Sequence, residues 1–210
     1  MFIDIHTHRL TAAENRSIVN LTFSEAKKVF NSLEKGFFSI GIHPWLVNEY
    51  SDKLLKEIEL YFTDPRFIAL GECGLDKNCN SAIIKQIQLF EKQIEIAERF
   101  QKPVIIHCVG CFNELFEIKK HFNPKQKWII HGFRGKPQLA EQALKIGLNL
   151  SFGEYYNVET LGITPFENLY IETDESHLGI EELYDRVAII KNCSVTLLVA
   201  GLNLMNSLKT

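Results

Sequence analysis

The sequence predicts an α/β protein: a single-domain, compact TIM-like (β/α)8 barrel with a C-terminal helical tail. Short β-branched and apolar runs alternate along the whole chain with longer segments whose apolar residues recur three and four positions apart. No linker rich in proline, glycine or serine interrupts this alternation, so we expect one domain over residues 1–210. This length is near the lower end for such a barrel, which predicts short helices and loops.

Eight segments rich in apolar and β-branched residues are predicted to be strands. Several of them are nearly continuous apolar runs, which is typical of parallel strands buried on both faces. In chain order, the predicted strands are Phe2–His6, Ser17–Leu21, Phe37–Ile42, Phe67–Glu72, Val104–His107, Trp128–His131, Leu148–Ser151 and Leu169–Thr173.

Helical periodicity falls between most of these strands. The first connection, Arg9–Arg16, is too short for a full helix. A doubly wound open sheet is the alternative fold, but no glycine-rich phosphate loop follows the first strand. The predicted helices are Ser24–Leu33, Asp52–Phe62, Ala82–Phe100, Phe112–Phe122 and Gln138–Ile146, with Ile180–Ile190 and Val195–Leu208 as the helical tail.

Composition and charge exclude several classes of protein. The longest apolar stretch, Val195–Leu202, is far shorter than the roughly 20 residues that span a bilayer, so we expect no membrane association. The formal charge of −3 argues against a general basic surface for nucleic acid. Five cysteines are an odd number, and the first residues lack the pattern of a secretory signal, so we expect a cytoplasmic protein.

Histidines and carboxylates cluster at the predicted strand ends, where a barrel assembles its active site. Glu72 closes the fourth strand and Asp174 follows the eighth. Four imidazoles and these two carboxylates are enough ligands for two divalent cations. The histidines at strand ends are His6 and His8 after the first strand, His43 after the third, His107 after the fifth and His131 after the sixth.

The His6-Thr7-His8 segment predicts two imidazoles on one side of the chain, because side chains of a strand alternate. Alone, this pattern is equally typical of structural, hydrogen-bonded histidines. Its combination with the other strand-end residues favours a metal site. Asp4, two residues before His6, should face the barrel interior, where we expect it to accept a hydrogen bond from a ligand histidine, with a structural hydrogen bond to the backbone as the alternative.

Six stretches, FIDIHTH, GIHPW, ALGECGLD, PVIIHC, WIIHGF and IETD, lie in this order between positions 2 and 174. With them the chain resembles the TatD-like metal-dependent hydrolases, a barrel branch related to the amidohydrolase superfamily. Members of this family are nucleases or phosphodiesterases that use divalent cations. The resemblance implies that His6 and His8 bind one ion, Glu72 bridges two, His107 and His131 bind the second, and Asp174 completes the first.

Two ions at this site would hold a substrate phosphate and lower the pKa of a bound water. We predict Asp174 and Glu72 as the catalytic residues, with Asp174 orienting the water and taking its proton. The resemblance also favours phosphoesters over amides, because many dinuclear amidohydrolases bridge their metals with a modified lysine. The ligands do not separate Zn²⁺, Mn²⁺, Mg²⁺ and Ni²⁺, although four imidazoles favour transition metals.

The chain departs from the family pattern at two positions. Val109 stands where many members have an arginine that holds substrate. Lys77 and Arg134 are therefore candidate substrate-binding residues, with solvated loop side chains as the equally weighted alternative. His43 is a third candidate because of its place after the third strand, and a capped or hydrogen-bonded loop histidine is its equally weighted alternative. Trp45 replaces the second histidine of the family's GxHPH motif, and we expect it to pack beneath a loop rather than to stack on a nucleobase.

The sequence therefore predicts a metal-dependent hydrolase of phosphoester bonds, most simply a TatD-like nuclease or phosphodiesterase with a dinuclear site. Its expected substrates are nucleic-acid ends or small phosphodiesters. One alternative is an amide- or ester-cleaving enzyme on the same scaffold, and another is a metal-binding protein with little catalysis. The oligomeric state is not predicted.

Overall fold

In the computed structural model, residues 2–10 and 17–201 are described. Within them, eight parallel strands form one sheet in which each strand pairs with the next one along the chain. This order confirms the predicted barrel, because a doubly wound sheet reverses its strand order. The strands are β1 (Asp4–Thr7), β2 (Ser17–Asn20), β3 (Phe37–Ile40), β4 (Phe67–Asp76), β5 (Val104–Val109), β6 (Trp128–Ile130), β7 (Leu148–Phe152) and β8 (Leu169–Ile171).

The barrel nearly closes between its first strand and the chain that follows its last. Thr7 forms a parallel bridge with Asp174. The Asp174 N–H donates to the carbonyl oxygen of His6 at 2.9 Å, and the His8 N–H donates to the carbonyl of Asp174 at 3.5 Å. The two ends of the sheet therefore meet at the residues that the sequence predicts as metal ligands.

The helices connect the strands on the outside of the barrel. Apolar residues such as Phe90, Ile94 and Ala97 are buried and lie on one face of the long third helix, as their spacing predicts. Two 3-10 segments, Pro44–Glu49 and Phe166–Asn168, add short turns. The helices are α1 (Phe23–Phe30), α2 (Asp52–Tyr61), α3 (Ile83–Phe100), α4 (Phe112–Phe122), α5 (Pro137–Lys145), α6 (Val158–Ile163), α7 (Ile180–Ile190) and α8 (Val195–Gly201).

Most predicted helix bounds agree with the structure to within one residue, and the largest difference is at the end of α1, which stops at Phe30 rather than at Leu33. The final helix begins at Val195 as predicted, while its predicted end at Leu208 lies outside the described residues. Most of the first connection, Arg9–Arg16, also lies outside the described residues. The short helix α6 was not predicted, because six residues carry too little periodicity to be recognised. None of the helices in the described ranges is both long enough and apolar enough to cross a membrane.

Strand β4 is longer than predicted and continues past Glu72 to Asp76. Gly74, two residues past Glu72, looks like a turn residue in the sequence, but both it and Gly71 allow a close approach to β5. A Cβ atom on Gly74 would lie 2.1 Å from the carbonyl oxygen of His107, and the φ of Gly74 is +144°. Only glycine fits there. The extension brings Asp76 opposite Val109 and holds β4 against the strand that carries His107.

Candidate metal centre

The carboxyl ends of the strands bring all six predicted metal ligands to one opening of the barrel. Five of them, with His43, line a cavity of about 440 Å³. His6, the sixth, is fully buried beside them. The six residues are His6 and His8 at the end of β1, Glu72 in β4, His107 in β5, His131 directly after β6, and Asp174 after β8.

Glu72 lies between two groups of imidazoles. Its Oε2 is 3.7 Å from Nε2 of His6 and 3.7 Å from Nε2 of His8. Its Oε1 is 2.7 Å from Nδ1 of His107 and 2.8 Å from Nε2 of His131. On the first side, Oδ1 of Asp174 completes the group at 3.7 Å from His6 and 3.6 Å from His8. The two oxygens of one carboxylate therefore face two separate sets of donor atoms.

The first of these sets fits a divalent cation. Both ring nitrogens of His6 are buried and have no hydrogen-bond partner among the described residues, which is costly for a polar group in the interior. The distances of 3.6 and 3.7 Å around His6, His8, Glu72 and Asp174 are too long for hydrogen bonds. They are close to the separation of about 3.4 Å between donors that surround one tetrahedral ion.

The protonation states of His6 and Glu72 suit ligands of a cation, which bind as a neutral imidazole and an ionised carboxylate. Burial and the neighbouring His131 lower the pKa of His6 to about 3, so its imidazole is neutral. Burial opposes ionisation of Glu72, but the charge of His131 and hydrogen bonds from neighbouring imidazoles outweigh it and hold the pKa of Glu72 well below its usual range. By contrast, burial raises the pKa of Asp174 above its ordinary value, so this carboxylate ionises less readily.

Asp76 orients His107 and was not predicted as a site residue. Its Oδ2 lies 3.1 Å from Nε2 of His107 and accepts a hydrogen bond from Nε1 of Trp45 at 2.7 Å. With Nε2 held in this way, Nδ1 of His107 is directed toward Glu72. The signal in the sequence is the spacing of Asp76, four residues after Glu72, which places both carboxylates on one face of an extended strand.

Glu172 orients His131 and was also missed. It is fully buried, its Oε1 lies 3.3 Å from Nδ1 of His131, and it accepts a hydrogen bond from the Gly132 N–H at 2.7 Å. This contact directs Nε2 of His131 toward Glu72. Glu172 stands two residues before Asp174 in the IETD stretch, and that alternation is a signal that could have identified it.

Three side-chain amides, two of them buried and that of Asn20 half-buried, hold the backbone at the strand ends, where the sheet no longer supplies partners. Asn20 accepts from the Glu72 N–H at 2.6 Å. Gln93 of α3 accepts from the N–H and donates to the carbonyl of Ile42, directly before His43. Gln86 of α3 makes the same pair of bonds with Asp76. The backbone that carries the site is therefore fixed by contacts that the sequence does not indicate.

Asp4 does not accept a hydrogen bond from an imidazole, so the expected contact with a ligand ring is wrong. Its carboxylate accepts from the backbone N–H of His6 at 3.3 Å and from the N–H and hydroxyl of Thr173 at 3.0 and 2.7 Å. These groups lie where β1 meets β8, and their N–H donors need an acceptor there. Burial raises the pKa of Asp4 to about 7.

The three candidate substrate-binding residues lie in different surroundings. Nε2 of His43 is 3.4 Å from Oε1 of Glu72, inside the metal-ligand cavity. Arg134 is exposed, stacks over the ring of Tyr155 at 5.3 Å, and lines a neighbouring cavity that contains His107, His131 and Asp174. Among the described residues, Lys77 lines neither cavity, and its side chain packs beside Gly110.

Trp45 is not packed beneath a loop, and that expectation is wrong. It is 65% exposed and lines the same cavity as Glu72 and His107. The short 3-10 segment that begins at Pro44 presents the indole at the surface, where its N–H donates to Asp76.

Comparison with known proteins gives a consistent set of relatives. The sequence profile of the family described as TatD related DNase matches residues 4–179. The human protein named 3'-5' RNA nuclease TATDN2 is 32% identical over 148 residues, which are 65% of this chain and 19% of the human protein. The 3'-5' ssDNA/RNA exonuclease TatD of Pantoea vagans is 29% identical over 162 residues, 72% of this chain and 62% of that protein. The chain thus spans less than two thirds of the length of these relatives.

Solved structures resemble the whole described fold. The crystal structure of YjjV, a TatD homologue from Escherichia coli, superposes with a TM-score of 0.84 at 20% identity and covers 98% of this chain and 95% of its own. A TatD-family hydrolase from Entamoeba histolytica superposes with a TM-score of 0.78 at 20% identity, with 95% and 94% coverage. At this level of identity, these similarities show the fold alone.

Proposed function

The chain belongs to the TatD-related DNase family, and we therefore propose that it is a metal-dependent hydrolase of phosphoester bonds with nuclease or phosphodiesterase activity. The observation that carries this proposal is the position of Glu72, whose two carboxylate oxygens face two separate sets of donor atoms. The unpartnered ring nitrogens of His6 support it independently. A reducing, cytoplasmic setting is part of the proposal and rests on the odd number of cysteines.

We assign two ions to the site. His6, His8 and Asp174 would hold the first, His107 and His131 would hold the second, and Glu72 would contact both. The distance from Glu72 to an imidazole nitrogen is 3.7 Å for His6 in the first group and 2.8 Å for His131 in the second. In both cases, the group faces one oxygen of the Glu72 carboxylate. Zn²⁺, Mn²⁺ or Ni²⁺ suits four imidazoles better than Mg²⁺ does, because Mg²⁺ prefers oxygen ligands.

Bound divalent cations would supply positive charge to the substrate phosphate and would make a water molecule more acidic. Side chains of the protein provide proton transfer and contacts to the phosphate. Asp174 presents its carboxylate to the cavity beside His8, where it orients the attacking water and accepts its proton. Arg134, in the neighbouring cavity, is placed to donate hydrogen bonds to a phosphate oxygen where the arginine of many relatives is replaced by Val109.

The substrate class follows from the relatives and from the charge of the chain. Relatives carry names that specify RNA nuclease and ssDNA/RNA exonuclease activity. The net charge of −3 disfavours a long electrostatic footprint on nucleic acid. We propose nucleic-acid ends or small phosphodiesters as substrates, because both require recognition only close to the reacting phosphate.

The proposal is tested by turnover of bis(p-nitrophenyl) phosphate and of a p-nitroanilide before chelation, after chelation and after return of Mn²⁺ or Zn²⁺. We expect cleavage of the phosphodiester that is lost with the metal and restored with it. Faster cleavage of the amide would favour the amidohydrolase alternative. Bound metal without cleavage of either compound would favour a metal-binding protein, and cleavage that survives chelation would overturn the metal-dependent mechanism.

A further inference from the structure

Trp45 combines an exposed ring with a fixed orientation. Its Nε1 donates to Asp76 at 2.7 Å, and its backbone N–H donates to Nδ1 of His43 at 3.2 Å. The imidazole of His43 meets the indole nearly at a right angle, with ring centroids 5.5 Å apart. An exposed aromatic ring held by hydrogen bonds loses little conformational freedom when a ligand stacks on it.

The indole also lies beside the candidate metal centre. It lines the 440 Å³ cavity with Glu72 and His107, and Phe23 and Leu46 add apolar lining to the same cavity. A cavity of this size is within the range of small-molecule sites. Its lining pairs an apolar, aromatic part with a group of metal ligands, which suits a ligand that carries a flat ring next to an anionic group.

We infer that Trp45 is a stacking platform for an unpaired nucleobase next to the phosphate that is cleaved. This inference rests on the proposed phosphoesterase function and narrows its substrate class to nucleotide units in single strands or at frayed chain ends. A paired base inside a duplex does not expose its face, whereas an unpaired base of any identity can stack on an indole. Stacking also replaces part of the affinity that a basic surface would otherwise supply.

Trp45 also has a structural role, because its indole N–H donates a hydrogen bond to Asp76. Because Asp76 contacts both Trp45 and His107, loss of the indole N–H could disturb the metal centre without any effect on stacking. Two variants separate these roles. Trp45→Phe keeps a ring but removes the N–H, and Trp45→His keeps an N–H donor but offers a smaller ring.

Fluorescence gives a binding test that does not depend on turnover. Trp128, the other of the two tryptophans, is fully buried, so Trp45 is the exposed emitter. In metal-loaded protein, we expect a phosphorothioate oligothymidylate to quench the emission and an abasic oligomer of the same length to quench it far less. Trp45→Phe should show no quenching. Equal quenching by both oligomers, no quenching by either, or quenching that survives in Trp45→Phe would overturn the inference.

Kinetics give the second test. Trp45→Leu should raise the KM for oligothymidylate at least about tenfold more than the KM for methyl p-nitrophenyl phosphate, which has no base. Trp45→Phe should retain more of this selectivity than Trp45→His does. Ile189→Ala on α7, 79% exposed, is the matched control and should leave the ratio unchanged.

Equal losses for both substrates, with Trp45→His closest to the wild type, would mean that Trp45 only positions Asp76, and the inference would be wrong. Failure of the proposed function looks different. If the wild type cleaves no phosphodiester, the proposed activity is wrong. Base-dependent quenching of Trp45 fluorescence would still show in that case that a nucleobase stacks on Trp45.

Discussion

Glu72 is the residue on which the proposed site depends, because it is buried and its carboxylate faces imidazoles on both sides. A buried carboxylate is costly unless positive charge or hydrogen bonds compensate it. The imidazoles of His107 and His131 provide that compensation on one side. A cation bound to His6 and His8 would provide it on the other.

Replacing Glu72 with Gln keeps the shape of the side chain and removes its charge. We expect at least about a tenfold loss of metal affinity and a large loss of turnover, since charged ligands dominate the attraction to a divalent ion. Elemental analysis after dialysis, together with phosphodiester turnover, checks this. Glu159→Gln, on the exposed surface of α6, is the control. Unchanged metal content and rate in Glu72→Gln would exclude the bridge.

Glu172 should act through His131 rather than on the substrate. Glu172→Gln can still accept from the Gly132 N–H, but it accepts more weakly from the imidazole and leaves His131 less well oriented. We expect metal affinity to fall about 10–100-fold while the fold is retained. Competitive titration with a chromophoric chelator measures the affinity, and circular dichroism monitors the fold. If Glu172→Gln bound metal as tightly as the wild type, Glu172 would not be needed to orient His131.

At the residue scale, the sequence predicted the groups at strand ends and missed those that orient them. Histidines and carboxylates directly after apolar runs are conspicuous, so the six proposed ligands were predicted from their positions, and the resemblance implied their roles. Asp76 and Glu172 resemble ordinary strand or loop carboxylates until the neighbouring strands are in place. The exposure of Trp45 depends on the path of a 3-10 segment, which has no periodicity that a sequence reveals.

At the scale of elements, the close approach of β4 and β5 positions His107, and Gly74 makes that approach possible. Gly74→Ala would place a methyl group on the His107 carbonyl and force an alanine into a backbone conformation that suits glycine. We expect a loss of at least about 2 kcal/mol in the free energy of unfolding, measured by urea denaturation, together with weaker metal binding.

Gly162→Ala is the matched control for this prediction. Gly162 lies in α6 and has room for a methyl group, with its nearest neighbour, Cγ2 of Ile190, at 3.9 Å. Alanine favours a helix over glycine by up to about 1 kcal/mol, so this variant should be as stable as the wild type or more stable. If Gly74→Ala were equally well tolerated, the contact between β4 and β5 would not constrain the site.

The elements themselves were largely predictable, because the hydrophobic pattern of the sequence distinguishes buried strands from amphipathic helices. Helix α4, for example, begins at Phe112 and ends at Phe122 as predicted. The extension of β4 was missed because Gly74 is typical of a turn when neighbouring strands are unknown. The short helix α6 was missed because tertiary packing, rather than its own periodicity, stabilises it.

At the scale of the whole molecule, the proposed metal site and the closure of the barrel share residues. His6 lies in β1 and Asp174 follows β8, and backbone hydrogen bonds between these two segments nearly close the barrel. An ion held by both residues would therefore join the first and last strands. Metal binding should stabilise the entire barrel rather than the opening alone, because unfolding separates its ligands.

We expect added Zn²⁺ or Mn²⁺ to raise the free energy of unfolding by about 2.7 kcal/mol when the free ion is at 100 times its Kd. Thermal unfolding with metal and with chelator checks this through the shift in Tm. Glu72→Gln should lose most of the shift at the same metal concentration. The same Tm with and without metal would show that the cluster does not bind an ion in the folded protein.

The number of metal ions per chain tests the central claim most directly. Elemental analysis after reconstitution with excess Mn²⁺ or Zn²⁺ and gel filtration should give about two equivalents in the wild type, as a two-metal hydrolase requires. Glu72→Gln, treated in the same way, should give fewer. One equivalent or none in the wild type would contradict the dinuclear site.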